Sequence, residues 1–402
     1  MFKIFLPKKK RVGDPSLLSR LKLALVQVVI FLLNFFLQGL AFLVFRKCTR
    51  APKNIIVYKT GNIGDIACAI PALIAIRRAY PNARLCLLTS PGEKGRPGAA
   101  ELLKNVWYVD ELLVYHKEDV ASLKQKIALI RSLRTRKPDL FIHLPEDLAK
   151  FRTLLRNLVL ARAIGARSAY GFVIRSIQLF KKTQVDYVRE RTEVESLLDL
   201  LRDCGIKIQG VEFGFDITPA EGERVQSILN QKKKTGSKII VMCPGGKRPA
   251  NLWPKERFTE LAKRLVDRYD ATIAIVGNKA ELSMAKEIAR RIGEDNAIIL
   301  TGELTLRETI ALIEKASLVV SNSTGTIHLA AAVGTPTVVI DTIRNVPGRW
   351  FPYGETHEIV YHRFLHCNYR EESCIEKSIE AVTVDEVFEA CGKVLTTKTG
   401  QK

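Results

Sequence analysis

Several patterns that assign a chain at sight are missing from this one. No Asp-x-Asp pair and no His/Cys cluster marks a divalent-metal site in either half. The first glycine turn reads Gly61-x-x-Gly64, not Gly-x-Gly-x-x-Gly, so nicotinamide dinucleotide binding is poorly supported. There is no helix-turn-helix or zinc-finger pattern, and the basic segments lack the interleaved aromatics of a single-strand platform. Nucleic acid is thereby disfavoured as a partner, although the charge alone would allow it.

Acidic residues are scarce in two places. Residues 1–53 hold 11 Lys/Arg against one acid, Asp14. Residues 124–182 hold 14 against three, Asp139, Glu146 and Asp147. These segments account for the whole net charge of +21, and the rest of the chain is neutral. Two cationic patches of this kind suit an anionic membrane surface or a phosphorylated partner. The 402 residues, 47% hydrophobic, suffice for two domains and an appendage. The eight cysteines (Cys48, Cys68, Cys86, Cys204, Cys243, Cys367, Cys374, Cys391) are scattered, several within apolar segments. That usage fits reduced thiols better than a secreted disulfide framework.

Leu23–Phe45 is a run of 23 uncharged residues, broken only by Gln27, Asn34, Gln38 and Gly39. As a helix it measures roughly 35 Å, enough for a ~30 Å hydrocarbon core. Basic residues flank both ends, so orientation cannot be read from them, and a helix lying in the interface suits the pattern as well as a spanning one. A signal peptide fits less well, since no small-residue cleavage site precedes Arg46. A buried core helix is the plainer alternative. The string Pro7–Val12 resembles a nuclear-import signal, but basic residues beside an apolar helix explain it more simply.

From Asn54 the chain alternates strand, glycine turn and helix. Strands are expected at 55–58, 84–89 and 140–143, a turn at Gly61–Asp65, and helices at 66–80, 152–164 and 196–204. Residues 218–237 read as an interdomain connection, and the alternation restarts at Lys238. The expected organisation is an anchor segment (1–50), a Rossmann-like domain (51–217), the connection, and a second Rossmann-like domain (238–402). Parallel sheets covered on both faces bind ligands at the carboxyl ends of their strands, where every glycine turn falls.

Three constellations could carry chemistry. In Thr60-Gly61-Asn62-Ile63-Gly64-Asp65, the carboxylate can cap the following helix or act as a general base on an acceptor hydroxyl. In Pro244-Gly245-Gly246-Lys247-Arg248, the glycines admit a diphosphate to backbone amides and the cations could neutralise it; an ordinary basic loop is the alternative. In Ser321-Asn322-Ser323-Thr324-Gly325-Thr326-Ile327-His328, hydroxyls and amides open a helix and His328 sits one turn in, as phosphate ligand or as core residue. Together they suggest a base and a diphosphate cradle facing each other across a cleft. His362, His366, Cys367 and Cys374 match no common zinc spacing closely.

The stretch Thr60–Tyr80 resembles the opening of the ADP-heptose:lipopolysaccharide heptosyltransferases. The likeness continues through Pro244–Gly246, Trp253-Pro254, Gly277–Glu281, Leu300–Gly302 and Gly325–Ala332. The resemblance implies an α/β GT-B fold, two doubly wound Rossmann-like domains facing a cleft, here with an N-terminal membrane-associated helix added. It implies inverting, metal-independent transfer of a sugar from a nucleoside-diphosphate donor to an anionic membrane glycolipid, at the cytoplasmic face of a bacterial inner membrane. No cofactor is expected. By this resemblance Asp65 is the general base, with Thr60, Gly61, Asn62 and Gly64 positioning it or the acceptor. Gly245, Gly246, Lys247, Arg248, Glu281, Ser323, Thr324, Gly325 and His328 hold the donor. Two positions depart from the family pattern: Asn251 stands where Lys is frequent, and Ser323 where Asp is frequent. The same fold could instead serve a nucleotide-sugar epimerase or hydrolase, or a non-catalytic membrane-bound relative.

Overall fold

The computed structural model describes residues 17–48, 51–95, 98–176, 189–232, 237–363 and 371–397. They form two compact units, one ending at Gly214 and the other beginning at Phe215.

In the first unit α1 (Leu17–Val44) precedes β1 (Asn54–Tyr58), α2 (Ile63–Ala79), β2 (Arg84–Thr89) and the single turn α3 (Ala99–Leu102). Then come β3 (Glu111–Val114), α4 (Leu123–Arg134), β4 (Leu140–His143), α5 (Phe151–Ala163), β5 (Ser168–Tyr170) and α6 (Glu193–Asp203). The strands are short apolar runs, and those of β1 and β4 are buried on both faces. Such strands pair in parallel beneath helices. Their order is β3-β2-β1-β4-β5, with Ile55 opposite Leu85 on one side and Leu140 on the other. Helix α2 is buried from Ile66 to Arg77 and packs along α6.

The second unit opens with α7 (Pro219–Lys232), β6 (Lys238–Cys243), α8 (Lys255–Tyr269), β7 (Ala271–Ile275) and α9 (Leu282–Ile292). It continues with β8 (Ala297–Ile299), α10 (Leu306–Glu314), β9 (Leu318–Asn322), α11 (Gly325–Ala332) and β10 (Thr337–Ile340). The edge strand β11 (His357–Val360) and the helices α12 (Glu372–Glu380) and α13 (Val384–Thr397) complete it. Its six parallel strands run β11-β10-β9-β6-β7-β8. In each sheet the first strand lies centrally, and the chain later crosses to its other side. That switch point, β1/β4 in one unit and β6/β9 in the other, opens a crevice at the strands' carboxyl ends.

Two local expectations change. Residues 218–237 are mostly helix rather than connection: α7 is bound into the second unit by Glu221, which receives Arg307 of α10 at 2.7 Å. The turn expected at Gly61–Asp65 ends at Asn62. Helix α2 starts at Ile63, so Gly64 and Asp65 lie in its first turn.

Candidate functional site

The chain leaves β1 at Tyr58, and the next side chain, Lys59, is fully buried. Its Nζ lies 3.1 Å from Glu193 Oε1, and Arg175 forks onto the same carboxylate at 2.7 and 2.9 Å. Arg175 also donates to the Pro145 carbonyl and to Ser196 Oγ. A buried cation needs such a partner, because its desolvation is otherwise uncompensated. Across the switch point Thr60 Oγ1 donates to Glu146 Oε1 at 2.6 Å, tying the end of β1 to that of β4.

Asp65 sits just beyond, half-buried. Its Oδ2 accepts the Asn62 amide at 3.0 Å, closing the helix N-terminus. Oδ1 has no hydrogen bond among the described residues. Gly61 makes this approach possible: at φ +139, a Cβ there would stand 2.3 Å from Asp65 Cβ. Burial pushes the Asp65 carboxyl above the usual range, Glu193 and Glu146 add to that, and Lys59 and the Asn62 amide oppose it. The capping reading holds through Oδ2, which leaves Oδ1 for the base that the resemblance implies. His143, at the end of β4, is buried between Tyr58 and Phe172, with Nε2 3.0 Å from Asn157 Nδ2. Burial, helped by Lys59 and Arg175, lowers its pKa to about 3, so the ring is neutral at pH 7.

In the second unit the residues expected to hold the donor gather at the β6/β9 switch point. Glu281 Oε1 accepts the Gly246 amide at 3.0 Å and its Oε2 accepts that of Asn278 at 2.9 Å. A Cβ on Gly245 would lie 2.1 Å from the Glu281 carboxyl group, and one on Gly277 2.3 Å from it. A Cβ on Gly246 would be 3.3 Å from Thr324 Cγ2, which places the glycine loop against the N-cap of α11. Buried Asn322 pins the arrangement, donating to the Pro244 carbonyl at 2.7 Å and accepting the Trp253 amide at 3.0 Å. Gly325 opens α11 and Thr326 reaches Cys243 Sγ. His328 is buried, edge-on to Trp350 at 5.9 Å. Lys247 and Arg248 follow the loop and are exposed.

The two departures from the family pattern have neighbours that sequence reasoning overlooked. Asn251 accepts from Arg344 Nε at 2.8 Å, and Ser323 hydrogen-bonds buried Asp341, whose carboxyl is raised by burial. Asp341 and Arg344 follow directly on β10 and belong to the same rim of strand ends. Their position after an apolar strand was the available signal. Lys59, Glu193 and Arg175 were not legible in this way, being distant in sequence. Of the histidine–cysteine set near the end, His366 and Cys367 lie outside the described residues, and His362 Nε2 is engaged by Glu386 at 2.9 Å. The seven described cysteines are free thiols.

Comparison with known proteins accords with this geometry. The model of glycosyltransferase family 9 (heptosyltransferase) matches residues 126–380. Lipopolysaccharide heptosyltransferase 3 of Escherichia coli is 24% identical over 288 residues, 68% of this chain and 79% of that one. Lipooligosaccharide heptosyltransferase 2 of Haemophilus influenzae is 30% identical over 130 residues, 31% of this chain and 37% of its own. Among solved structures, a family 9 glycosyl transferase from Veillonella parvula superposes with a TM-score of 0.68 at 20% identity, covering 86% of this chain and 98% of its own. The ADP-heptose lps heptosyltransferase II of E. coli gives 0.62 at 20% identity, covering 86% and 99%. Two parallel doubly wound sheets thus have the GT-B fold, and the chain belongs to glycosyltransferase family 9, the heptosyltransferase family.

Proposed function

We propose that this glycosyltransferase moves heptose, or a closely related sugar, from a nucleoside-diphosphate donor to a membrane glycolipid such as lipopolysaccharide core, with inversion and without a metal. It would act at the cytoplasmic face of a bacterial inner membrane. The observation that carries this reading is the cradle at the β6/β9 switch point: the Gly245-Gly246 loop, fixed by Glu281, lies against the amide-rich start of α11. Such amides favour a departing diphosphate, and Lys247 or Arg248 adds positive charge beside it. Asp65 removes the acceptor proton through Oδ1, while Oδ2 keeps the helix capped. Thr60, Gly61, Asn62 and Gly64 hold that carboxylate in place, and Ser323, Thr324, Gly325 and His328 line the phosphate side. Structures of an E. coli heptosyltransferase solved with ADP and with an ADP-linked fluoro-heptose support the donor class.

The test is to incubate purified enzyme with a panel of nucleotide-sugars and membrane extract, scoring mass gain on lipid. Transfer of one sugar unit, inverted at its anomeric carbon and retained in EDTA, is expected. Donor turnover without acceptor, or transfer abolished by chelator, contradicts the proposal.

A further inference from the structure

Helix α1 is apolar on both of its sides, and the fold uses only one. Leu23, Ile30 and Leu37 recur at seven-residue spacing and are buried, and beyond the helix end Phe45 joins the first unit's core. Asn34 is stitched to the backbone of Ile174: its Nδ2 donates to the carbonyl at 3.1 Å and its Oδ1 accepts the amide at 2.7 Å. Phe36 meets Phe151 at the start of α5. The helix is therefore strapped along the first unit, not projecting from it.

Its outer face breaks the rule for a soluble amphipathic helix, whose solvent side is polar. Phe31, Phe35 and Phe42 are 66%, 71% and 79% exposed, and Leu21, Leu25, Leu32 and Leu43 all exceed half. Side chains of this size each expose roughly 100 Å². Their sum passes the few hundred Å² that soluble monomers leave in one apolar patch. The same unit presents Arg152, Arg156 and Arg162 to solvent on α5, and the segments 1–53 and 124–182 carry all the excess positive charge of the chain.

We infer that α1 is an in-plane membrane anchor: it lies in the interface of an anionic bilayer with its phenylalanine face in the acyl boundary, and it does not span. A spanning pose would drag α5 and its three guanidinium groups to hydrocarbon depth, which lipid strongly opposes. The in-plane pose buries the apolar face, leaves the strapped face on the protein and keeps the exposed arginines of α5 within reach of anionic headgroups. This deepens the proposed function by stating how the enzyme meets a lipid-borne acceptor.

The test uses the full chain carrying an epitope before Met1. Flotation with phosphatidylglycerol-containing vesicles is expected to exceed flotation with pure phosphatidylcholine at least ~10-fold, and to weaken in high salt. Protease should remove the epitope from the same membrane side on which it cuts the first unit, in inverted vesicles and not in intact spheroplasts. The triple variant Phe31→Ser, Phe35→Ser, Phe42→Ser should lose bound fraction at least ~10-fold, while transfer to a deacylated acceptor stays at the wild-type rate. An epitope cut only from the opposite side overturns the inference, as does wild-type protein that fails to float. A wild-type dimer that the triple variant dissolves, with no flotation, would assign the face to a second copy. Wild-type failure on the deacylated acceptor refutes the proposed reaction and leaves the topology result standing.

Discussion

Replacing Asp65 in two ways separates its cap from its chemistry. The Asn62 amide donates to Oδ2, and the amide oxygen of Asp65→Asn can accept that bond equally well. It also removes a charge that burial opposes. The Asn variant should therefore fold with wild-type stability or slightly more. Asp65→Ala loses the acceptor, at a cost of about 1 kcal/mol. That should lower the Tm by about 2–4 °C for a domain of this size. Both variants lose the base, and turnover should fall at least ~100-fold, about 2.7 kcal/mol of transition-state stabilisation. Donor affinity should be unchanged in both, because the Gly245–Glu281–Thr324 set is built from other residues. The assay is steady-state transfer with product mass, alongside thermal unfolding of each variant. A folded Asp65→Asn protein with near-normal turnover refutes the role assigned to the carboxylate and leaves Asp65 as a cap alone.

Three further outcomes are expected. Glu193→Gln removes the counter-charge that buried Lys59 and Arg175 share, so denaturant unfolding should report a loss of about 3–5 kcal/mol. In Gly245→Ala the new methyl occupies the space of the Glu281 carboxyl group, releasing the Gly246 amide; donor KM should rise about tenfold with kcat nearly constant. Finally, the acid limb of kcat/KM should lie above the ~3.9 of an ordinary aspartate, since the base must be ionised and its pKa is raised. In any Glu193→Gln protein that stays folded, the limb should move down, because one carboxylate that raised Asp65 has gone. The stability linkage has the opposite sense to activity: a raised carboxyl favours the folded state below the unfolded pKa, and that contribution is lost as pH rises through the folded one.

Much of the architecture was readable from pattern. Buried parallel strands are short apolar runs, so Ile55–Tyr58, Arg84–Thr89 and Lys238–Cys243 stood out between helices with clear periodicity. Boundaries were less legible where one side chain does two jobs. Asp65 read as a turn residue because Gly61 and Gly64 precede it, yet its carboxylate caps a helix that starts two residues earlier. Segment 218–237 looked like a connection because its lysines and Thr235-Gly236 dominate the composition. What makes Pro219–Lys232 part of the second unit is Glu221 meeting Arg307, a contact across 86 positions that no local window contains. The Lys59–Glu193–Arg175 cluster was invisible for the same reason: its value depends on burial, and a charged residue in a sequence gives no sign of being buried.

The two positions that depart from the family pattern are each bonded to an ionisable residue. Where Lys is frequent, Asn251 cannot supply a cation, but it is held by Arg344, whose guanidinium is also gripped by Glu372. Where Asp is frequent, Ser323 cannot supply a carboxylate, but it bonds Asp341 from the neighbouring strand end. In both cases the partner comes from the residues that follow β10. The replacements are not equivalent in reach. A guanidinium bound on two sides is a fixed fork, whereas a lysine is a mobile point charge. Burial raises the Asp341 carboxyl from its ordinary value, while hydrogen bonds from the Thr342 amide and with Ser323 draw it back down. By contrast, Gly245, Gly246 and Thr324 keep the residues that the resemblance assigns to the donor phosphates.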